Sequence, residues 1–248
     1  MTVVSKAAKV KISPKNERLL HTKSGNRCAM CNIVLVEQSV CIGENAHIYG
    51  EKPDAARYDA TKPTEYVNSE TNLIFLCCNC HKKVDTQVAM YPPESLFTMK
   101  AEHEKRVVLA LKQGAISYTY AELEVITTYL ARESGMATVN ANYKLLRLTD
   151  KINKNQLADV QGYIDIGLLS VSRIEDYLNR HPDPGFADNL TRIFVDKYTA
   201  LKGEESEPIG IFYALWDFAC NGKVDYNYRS AGLALLVYFF EKCEVFEK

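Results

Sequence analysis

The sequence predicts an α+β protein in which a small zinc-binding ββα domain is followed by an all-α helical bundle. Three observations lead to this fold class. Two Cys-x2-Cys pairs, Cys28–Cys31 and Cys77–Cys80, have the spacing typical of a tetrahedral zinc site. Short runs rich in apolar and β-branched residues between the pairs predict strands. From residue 115 onwards, apolar residues recur at helical spacing between Gly and Pro breaks.

The first domain is predicted to span residues 1–113. Ser13 and Pro14 supply an N-cap followed by a proline at the first helical position, and Gly25 can end this helix. Residues 49–71 form a loop that is long for a compact domain, and such loops are usually functional or disordered. The other predicted elements are strands at 33–36 and 39–42, a helix opening at 79–81 and carrying Asp85, and a helix from Pro92-Pro93 through Gln113.

The second domain, residues 114–248, shows no strand-like alternation of comparable length. Its breaks fall at glycines such as Gly135, Gly167 and Gly222. The aromatic residues recur at helical spacing, which predicts core positions rather than a stacking surface. The predicted helices are 119–133, 154–168, 171–180, 187–202, 208–220 and 229–245.

The charge of the chain is divided unequally between the two halves. The formal net charge of the 248 residues is −1. Residues 1–114 nevertheless hold 16 Lys and Arg against 12 Asp and Glu, whereas residues 115–248 hold 14 against 19. A polyanion is therefore expected to contact the first half. No signal peptide and no run of about 18 apolar residues is evident, so we expect a cytoplasmic protein without membrane contact.

Cysteine usage favours thiols and metal thiolates over disulfides, because a cytoplasmic protein is kept reduced. Each Cys-x2-Cys pair forms a knuckle that presents two thiolates, and we expect the bound zinc to be structural. Cys78 competes as a ligand, although a one-residue gap to Cys80 suits a knuckle poorly. Cys41, Cys220 and Cys243 stand in apolar surroundings and are predicted to be core residues.

The order of motifs through this region resembles the HNH, or ββα-metal, nuclease family over about residues 15–105. The first Cys pair is followed by Ala46-His47-Ile48, then by Asn72-Leu73-Ile74, and then by Leu76-Cys77-x2-Cys80-His81-x3-Asp85. The resemblance implies a ββα-metal nuclease domain in which His47 is the general base that activates water. It also implies that His81 and Asp85 bind one divalent cation, Mg²⁺ or Mn²⁺, and that Asn72 braces the loop carrying the base.

The chemistry is consistent with these residue types. Phosphodiester hydrolysis needs an activated water and a Lewis acid, and a neutral histidine near pH 7 is a suitable base. His81 and Asp85 are four residues apart, which places an imidazole and a carboxylate on one helical face. Many family members have a further metal ligand directly before the base, where this chain has Ala46. A branch of the family that has Ala-His-Ile at this position is similar to this chain.

Several alternatives stay open for these residues. His81 can instead complete a Cys₃His zinc site, and Asp85 can be a helix-surface carboxylate. Glu44 is a substitute metal ligand, although strand alternation places it opposite His47. The histidines without partners in the sequence, His21, His103 and His181, are predicted to lie on the surface.

Basic residues near these motifs are candidates for nucleic-acid binding. Lys52 and Arg57 lie in the long loop after His47, and Lys82 and Lys83 directly follow His81. Lysine and arginine at such positions can contact phosphates on either side of a scissile bond. DNA is favoured over RNA by the family resemblance alone.

The second half contains no Gly-rich phosphate loop, ligand cluster or nucleophile–base pair. Its apolar segment 235–246 must be buried internally or against a partner, so a protein partner or self-association is expected. Segments 150–155 and 243–248 are similar to C-terminal domains of ABC-three-component anti-phage systems.

Together these features predict an HNH endonuclease that hydrolyses phosphodiester bonds in DNA as an effector of antiviral defence in bacteria. The alternatives are a non-catalytic nucleic-acid-binding zinc module and an adaptor in a defence complex.

Overall fold

The computed structural model describes residues 11–37, 40–132, 135, 147–204, 207–242 and 245–246. These residues form a mostly helical α+β protein with two small two-stranded sheets. The chain divides into two compact units. We call them the N-terminal unit, described through Val36 and from Val40 to Lys105, and the C-terminal unit, from Arg106 onwards. The predicted domain border at 113/114 lies in the same helix as this division.

The N-terminal unit is built around one antiparallel strand pair and the helix that follows it. Strand β3 pairs with strand β4 in a register that places Gly43 opposite Cys77 and His47 opposite Leu73. All of β4 is buried, because its apolar side chains fill the core of this unit. The elements are α1 (Pro14–Lys23), β1 (Val36–Glu37), β2 (Val40–Cys41), β3 (Gly43–His47), α2 (Thr64–Val67), a 3-10 turn (Glu70–Asn72), β4 (Leu73–Cys77), α3 (Cys78–Thr86) and α4 (Pro93–Ser117).

Both ends of α1 and the start of α4 follow the predicted capping signals. The side chain of Ser13 accepts a hydrogen bond from the Asn16 backbone N–H, Pro14 is the first residue of α1, and Gly25 adopts a φ of 61° just beyond the end. Helix α4 begins at Pro93.

The predicted strands 33–36 and 39–42 were wrong in extent. The first paired strand begins at Val36 and the second ends at Cys41. The segment from Gly43 to His47 is a separate strand that pairs with β4 instead. Residues 38–39 lie outside the described residues.

The described regular elements of the C-terminal unit are all helical. Helix α11 packs against α5, α7, α8 and α10 and is buried along most of its length. That these helices form an independent bundle domain stays a prediction. They are the end of α4, α5 (Tyr120–Leu130), α6 (Leu148–Lys154), a 3-10 turn (Ala158–Val160), α7 (Gln161–Leu168), α8 (Val171–Asn179), α9 (Phe186–Glu204), α10 (Pro208–Ala219) and α11 (Tyr226–Lys242).

The apolar segment at the end of the chain is buried inside this unit. Leu235, Leu236 and Phe240 are completely inaccessible, and Phe246 is 2% exposed. The described part of the segment is therefore covered within this unit, and a protein partner stays a prediction. Among the described residues, every helix is too short or too polar to cross a bilayer.

Two glycines that were predicted to end helices lie within them. Helix α4 continues past Gly114 to Ser117, and a Cβ at Gly114 would lie 2.6 Å from the Tyr226 carbonyl oxygen. Helix α7 includes Gly167, where a Cβ would lie 2.6 Å from a Val237 methyl group. Both glycines permit close approach to helix α11.

The predicted helix 154–168 was wrong in extent, because only its second half, from Gln161 to Leu168, is α-helical. Helix α6 ends at Lys154, and Gln156 has a φ of 53°, which a continuous right-handed helix excludes. Helix α7 then starts at Gln161.

The three cysteines predicted to be core residues differ in their surroundings. Cys220 is 1% exposed, and burial raises the pKa of its thiol to about 12. Cys41 is exposed, so its assignment to the core was wrong. Cys243 lies outside the described residues.

Candidate active site

Four cysteine sulfurs converge in the N-terminal unit. The Sγ atoms of Cys28, Cys31, Cys77 and Cys80 all lie within 4.8 Å of one another. Among the described residues, no other group of three or more His, Cys, Asp or Glu side chains brings its ligand atoms together in this way. The arrangement fits a structural metal site, and the two pairs that form it are 46 residues apart at Cys31 and Cys77.

Local backbone geometry presents each pair as a knuckle. Asn32 adopts a φ of 62°, which turns the chain after Cys31, and an isolated bridge joins Arg27 to Val34. In the second pair, Cys77 caps helix α3, and its sulfur accepts a hydrogen bond from the backbone N–H of Cys80 at 3.4 Å.

The electrostatic interactions among the four cysteine thiols favour a bound cation. Burial raises the pKa of Cys31 and Cys80, and neighbouring Cys28 adds to both increases. Burial also acts to raise the pKa of Cys28, but hydrogen bonds from the backbone of Cys31, Cys77 and Met30 outweigh it, so that pKa is lowered. Four thiolates this close repel one another unless a cation neutralises them, and a tetrahedral thiolate set is the donor set that Zn²⁺ prefers.

Two alternative zinc ligands are not used in this arrangement. Cys78 is exposed and its sulfur lies 3.9 Å from Asn79 Oδ1, outside the quartet. The ring of His81 contacts two carboxylates rather than the sulfurs. The structure therefore shows a Cys₄ group and not a Cys₃His group.

Helix α3 presents His81 and Asp85 on one face, as the four-residue spacing predicts. His81 Nε2 lies 3.1 Å from Asp85 Oδ2. Val84, on the neighbouring face of the helix, is buried in the core and anchors the helix. Two ligands of an octahedral Mg²⁺ or Mn²⁺ ion lie about 3 Å apart, since each is about 2.1 Å from the ion. The pair thus suits one shared cation.

Glu44 occupies the other side of the same imidazole. Its Oε2 lies 2.5 Å from His81 Nδ1, and its side chain is 49% exposed. Glu44 and Ala46 are two residues apart on strand β3, so alternation places them on the same face. Ala46 itself is fully buried. Glu44 and Asp85 contact different nitrogens of the ring, so the three side chains do not converge on one point.

Arg57 is buried, which differs from the prediction made from the sequence. The sequence suggested an exposed phosphate-binding residue, but its side chain is 1% exposed. The guanidinium donates to the backbone carbonyls of Ile48 and Val84, each at 2.8 Å, and to Asp85 Oδ1 at 2.5 Å. A group enclosed in this way cannot present itself to a nucleic acid.

The imidazole of His47 is held by an asparagine that the sequence did not single out. His47 Nε2 lies 3.0 Å from Oδ1 of Asn68, which is 5% exposed. The Asn68 backbone carbonyl in turn accepts a hydrogen bond from Asn16 Nδ2 at 2.9 Å. Nothing in the local sequence distinguishes Asn68 from the other polar residues of the 49–71 loop.

His47 is connected to the His81–Asp85 pair through Arg57. Arg57 Nη2 donates to the His47 carbonyl oxygen at 3.3 Å and also to Asp85. The described hydrogen bond of the ring itself runs to Asn68. The site therefore has two parts, the histidine at the end of β3 and the polar face of α3. The buried guanidinium of Arg57 joins them.

Asn72 braces the chain directly after His47. Its Oδ1 accepts from the Tyr49 backbone N–H at 3.0 Å, and its Nδ2 donates to the carbonyls of Tyr49 at 3.0 Å and Val67 at 2.8 Å. The residue is completely buried. Its amide thus holds both ends of the long loop, and it makes no direct contact that would support a chemical role.

The predicted phosphate-binding lysines are exposed. Lys52 lies in the loop after His47, and Lys82 and Lys83 lie on α3 beside His81. Lys83 Nζ lies 5.9 Å from the ring centroid of Tyr91. Their contact with nucleic acid stays a prediction.

Of the three histidines predicted to lie on the surface, His103 is buried, so the prediction was wrong for it, whereas His21 and His181 are partly exposed. His103 is 1% exposed and bonds to the Ser24 carbonyl at 2.9 Å. His21 stacks on Phe75 with ring centroids 4.1 Å apart, and His181 stacks on Phe186 at 3.6 Å.

No family model matches the chain, and no curated protein matches it either. The functional argument therefore depends on the geometry of the site and on the motif resemblance.

Proposed function

We propose that the N-terminal unit is a divalent-cation-dependent nuclease that hydrolyses phosphodiester bonds in DNA. The observation that supports this most directly is the His81–Asp85 pair, with Nε2 and Oδ2 at 3.1 Å, on the helix that follows the second cysteine pair. One buried guanidinium joins this pair to the chain at His47.

His47 is the proposed general base. If the Nε2–H group of His47 donates a hydrogen bond to Asn68 Oδ1, Nδ1 keeps its lone pair. It can then take a proton from water. The amide oxygen then also stabilises the imidazolium that forms, because Nε2 keeps its proton throughout the transfer. Asn68 is thus proposed to select the tautomer that makes His47 a base.

His81 and Asp85 are the proposed ligands of the cation. When bound, Mg²⁺ or Mn²⁺ supplies Lewis-acid stabilisation of the charge on the phosphate and leaving oxygens. Arg57 occupies Asp85 Oδ1, which leaves Oδ2 facing His81. Glu44 can hold the other side of the imidazole and orient the ring.

The cysteine quartet is proposed to bind a structural Zn²⁺. It connects the knuckle before β1 to the start of α3, and so it fixes the helix that carries His81 and Asp85. The exposed lysines beside the site, Lys52, Lys82 and Lys83, are proposed to contact the phosphate backbone.

A role for the whole chain as a defence effector controlled by the C-terminal unit is proposed on the motif resemblance alone. The non-catalytic zinc module remains the second candidate, because the position before His47 is a buried alanine that provides no ligand.

Cleavage of supercoiled plasmid with Mg²⁺ or Mn²⁺ tests the proposal. Wild-type protein is compared with His47→Ala and with His181→Ala, a histidine variant remote from the site in sequence and in the C-terminal unit. Cleavage that is lost in His47→Ala and kept in His181→Ala supports the nuclease. DNA binding without cleavage in the wild type supports the zinc module, and neither activity but a stable partner complex supports the adaptor.

A further inference from the structure

Arg57 makes an unusual set of contacts for a loop residue. Its Nε and Nη1 donate to the carbonyls of Ile48 and Val84, each at 2.8 Å. Its Nη2 donates to the His47 carbonyl at 3.3 Å and to Asp85 Oδ1 at 2.5 Å. One planar group therefore bonds the segment that carries the proposed base and the helix that carries the proposed cation ligands.

The backbone conformation of Arg57 and the burial of its charge both cost free energy of folding. Its φ of 56° lies in the left-handed region, which is unfavourable for a residue with a Cβ. Its side chain is 1% exposed, and a buried guanidinium needs a counter-charge and hydrogen bonds to be tolerated. Asp85, whose side chain is 40% exposed, supplies that charge.

The contact with Arg57 gives the two oxygens of the Asp85 carboxylate different partners. Oδ1 is occupied by Arg57, and Oδ2 faces His81 Nε2 at 3.1 Å. A carboxylate held in this way has one rotamer and one oxygen available to an ion. The carbonyl contacts at Ile48 and Val84 fix the guanidinium itself, so the orientation of Asp85 depends on a rigid partner.

We propose that Arg57 is a positioning residue, which presents Asp85 Oδ2 to the cation and sets the distance between the His47 segment and helix α3. This inference rests on the proposed function of the same site. Lysine cannot replace arginine here, because an ammonium lacks the planar fork that reaches three carbonyls and a carboxylate together.

Mn²⁺ binding to the zinc-loaded full-length chain, measured by the loss of the free-ion electron paramagnetic resonance signal, tests this proposal independently of cleavage. Arg57→Lys is expected to weaken Mn²⁺ binding by about tenfold or more. Asp85→Asn is expected to weaken it as well, and the double variant Arg57→Lys/Asp85→Asn should bind no more weakly than Asp85→Asn. Glu70→Gln is the matched control, since it disrupts a buried ion pair of the same unit that contains none of the proposed cation ligands.

A second variant separates positioning from folding. Arg57→Gly accommodates the positive φ, and millimolar guanidinium should restore its Mn²⁺ affinity, whereas ammonium at the same concentration should not. Restoration by guanidinium supports the inference even if Arg57→Lys does not fold. An unchanged Mn²⁺ affinity in Arg57→Lys, or equal loss of affinity on top of Asp85→Asn, overturns it.

The outcomes also distinguish this inference from the proposed function. Mn²⁺ binding that depends on Asp85 and Arg57 without plasmid cleavage upholds the positioning role and rejects the nuclease. Cleavage with unchanged Mn²⁺ affinity in Arg57→Lys upholds the nuclease and rejects the positioning role. Wild-type protein that binds no Mn²⁺ rejects both.

Discussion

The amide oxygen of Asn68 lies 3.0 Å from Nε2 of His47, at hydrogen-bonding distance. Asn68 precedes the 3-10 turn, and its own backbone carbonyl is bonded to α1 through Asn16. The orientation of the proposed base is therefore set by the end of the long loop rather than by the strand that carries it.

Replacement of Asn68 is expected to slow cleavage more than it weakens DNA binding. Asn68→Ala removes the acceptor that selects the His47 tautomer, and the rate should fall by about 10- to 100-fold. Asn68→Asp keeps an acceptor but adds a charge that stabilises the imidazolium, so the acidic limb of the pH–rate profile should move to higher pH. Single-turnover rates from about pH 5 to 9 measure both effects. A uniform loss at every pH in Asn68→Asp would contradict the tautomer role.

Removal of zinc is expected to unfold the N-terminal unit. Binding of structural zinc supplies about 10–16 kcal/mol in small zinc domains, which exceeds the stability of most domains of this size. Cys80→Ser should therefore abolish cooperative unfolding of the unit and lower the zinc content measured by mass spectrometry. Cys78→Ser is the matched control, because its thiol is adjacent in sequence but outside the quartet. Equal zinc loss in both variants would argue against the Cys₄ assignment.

Glu70 is expected to make the N-terminal unit sensitive to acid. Burial acts to raise the pKa of Glu70, but the ammonium groups of Lys100 and Lys23 outweigh it and lower that pKa below the ordinary 4.5. Its contribution is therefore complete above about pH 4.5 and is lost as the pH falls through the lowered value. Glu70→Gln should destabilise the unit by roughly 2 kcal/mol near pH 7, because Lys23 loses its counter-charge and Lys100 loses one of the two carboxylates that it contacts, Glu70 and Glu104.

The difference between wild type and Glu70→Gln isolates this carboxylate, since acid also protonates the zinc thiolates in both proteins. Urea unfolding with excess zinc at several pH values from about 3 to 7 should show a stability difference that is constant above about pH 4.5 and narrows below it. A difference that stays constant across that range would exclude the ion pairs as its cause.

Two glycines in the C-terminal unit should respond oppositely to the same substitution. A Cβ at Gly114 would lie 2.4 Å from Ser230 Oγ and 2.6 Å from the Tyr226 carbonyl oxygen, so Gly114→Ala should destabilise by about 1–3 kcal/mol. A Cβ at Gly203 meets nothing within 4 Å, so Gly203→Ala should stabilise helix α9 by about 0.5 kcal/mol or more. Thermal unfolding measures both, and a neutral Gly114→Ala would show that α11 can shift away from α4.

The sequence was sufficient to predict contacts that depend on short-range spacing. The two cysteine knuckles, the start of α1 at Pro14 and the pairing of His81 with Asp85 all depend on residues within four positions of one another. Bringing the two knuckles together required only the preference of thiolates for a shared tetrahedral ion.

Contacts that depend on loop conformation could not be predicted. The positive φ of Arg57 turns an ordinary basic loop residue into a buried brace, and no sequence pattern marks that turn. Asn68 reaches His47 only because the long loop returns to the end of β3. For Glu44, alternation correctly separated it from the His47 side, but which face would meet α3 depended on the β3–β4 pairing.

The separation of the two cysteine pairs has a consequence for how the protein matures. Cys28 and Cys31 leave the ribosome well before Cys77 and Cys80, so the quartet can close only after helix α3 has been synthesised. Until metal is captured, the helix that carries His81 and Asp85 is expected to lack a fixed position, and newly made chains are expected to lack the proposed activity. Cellular zinc supply would then decide when each molecule becomes competent.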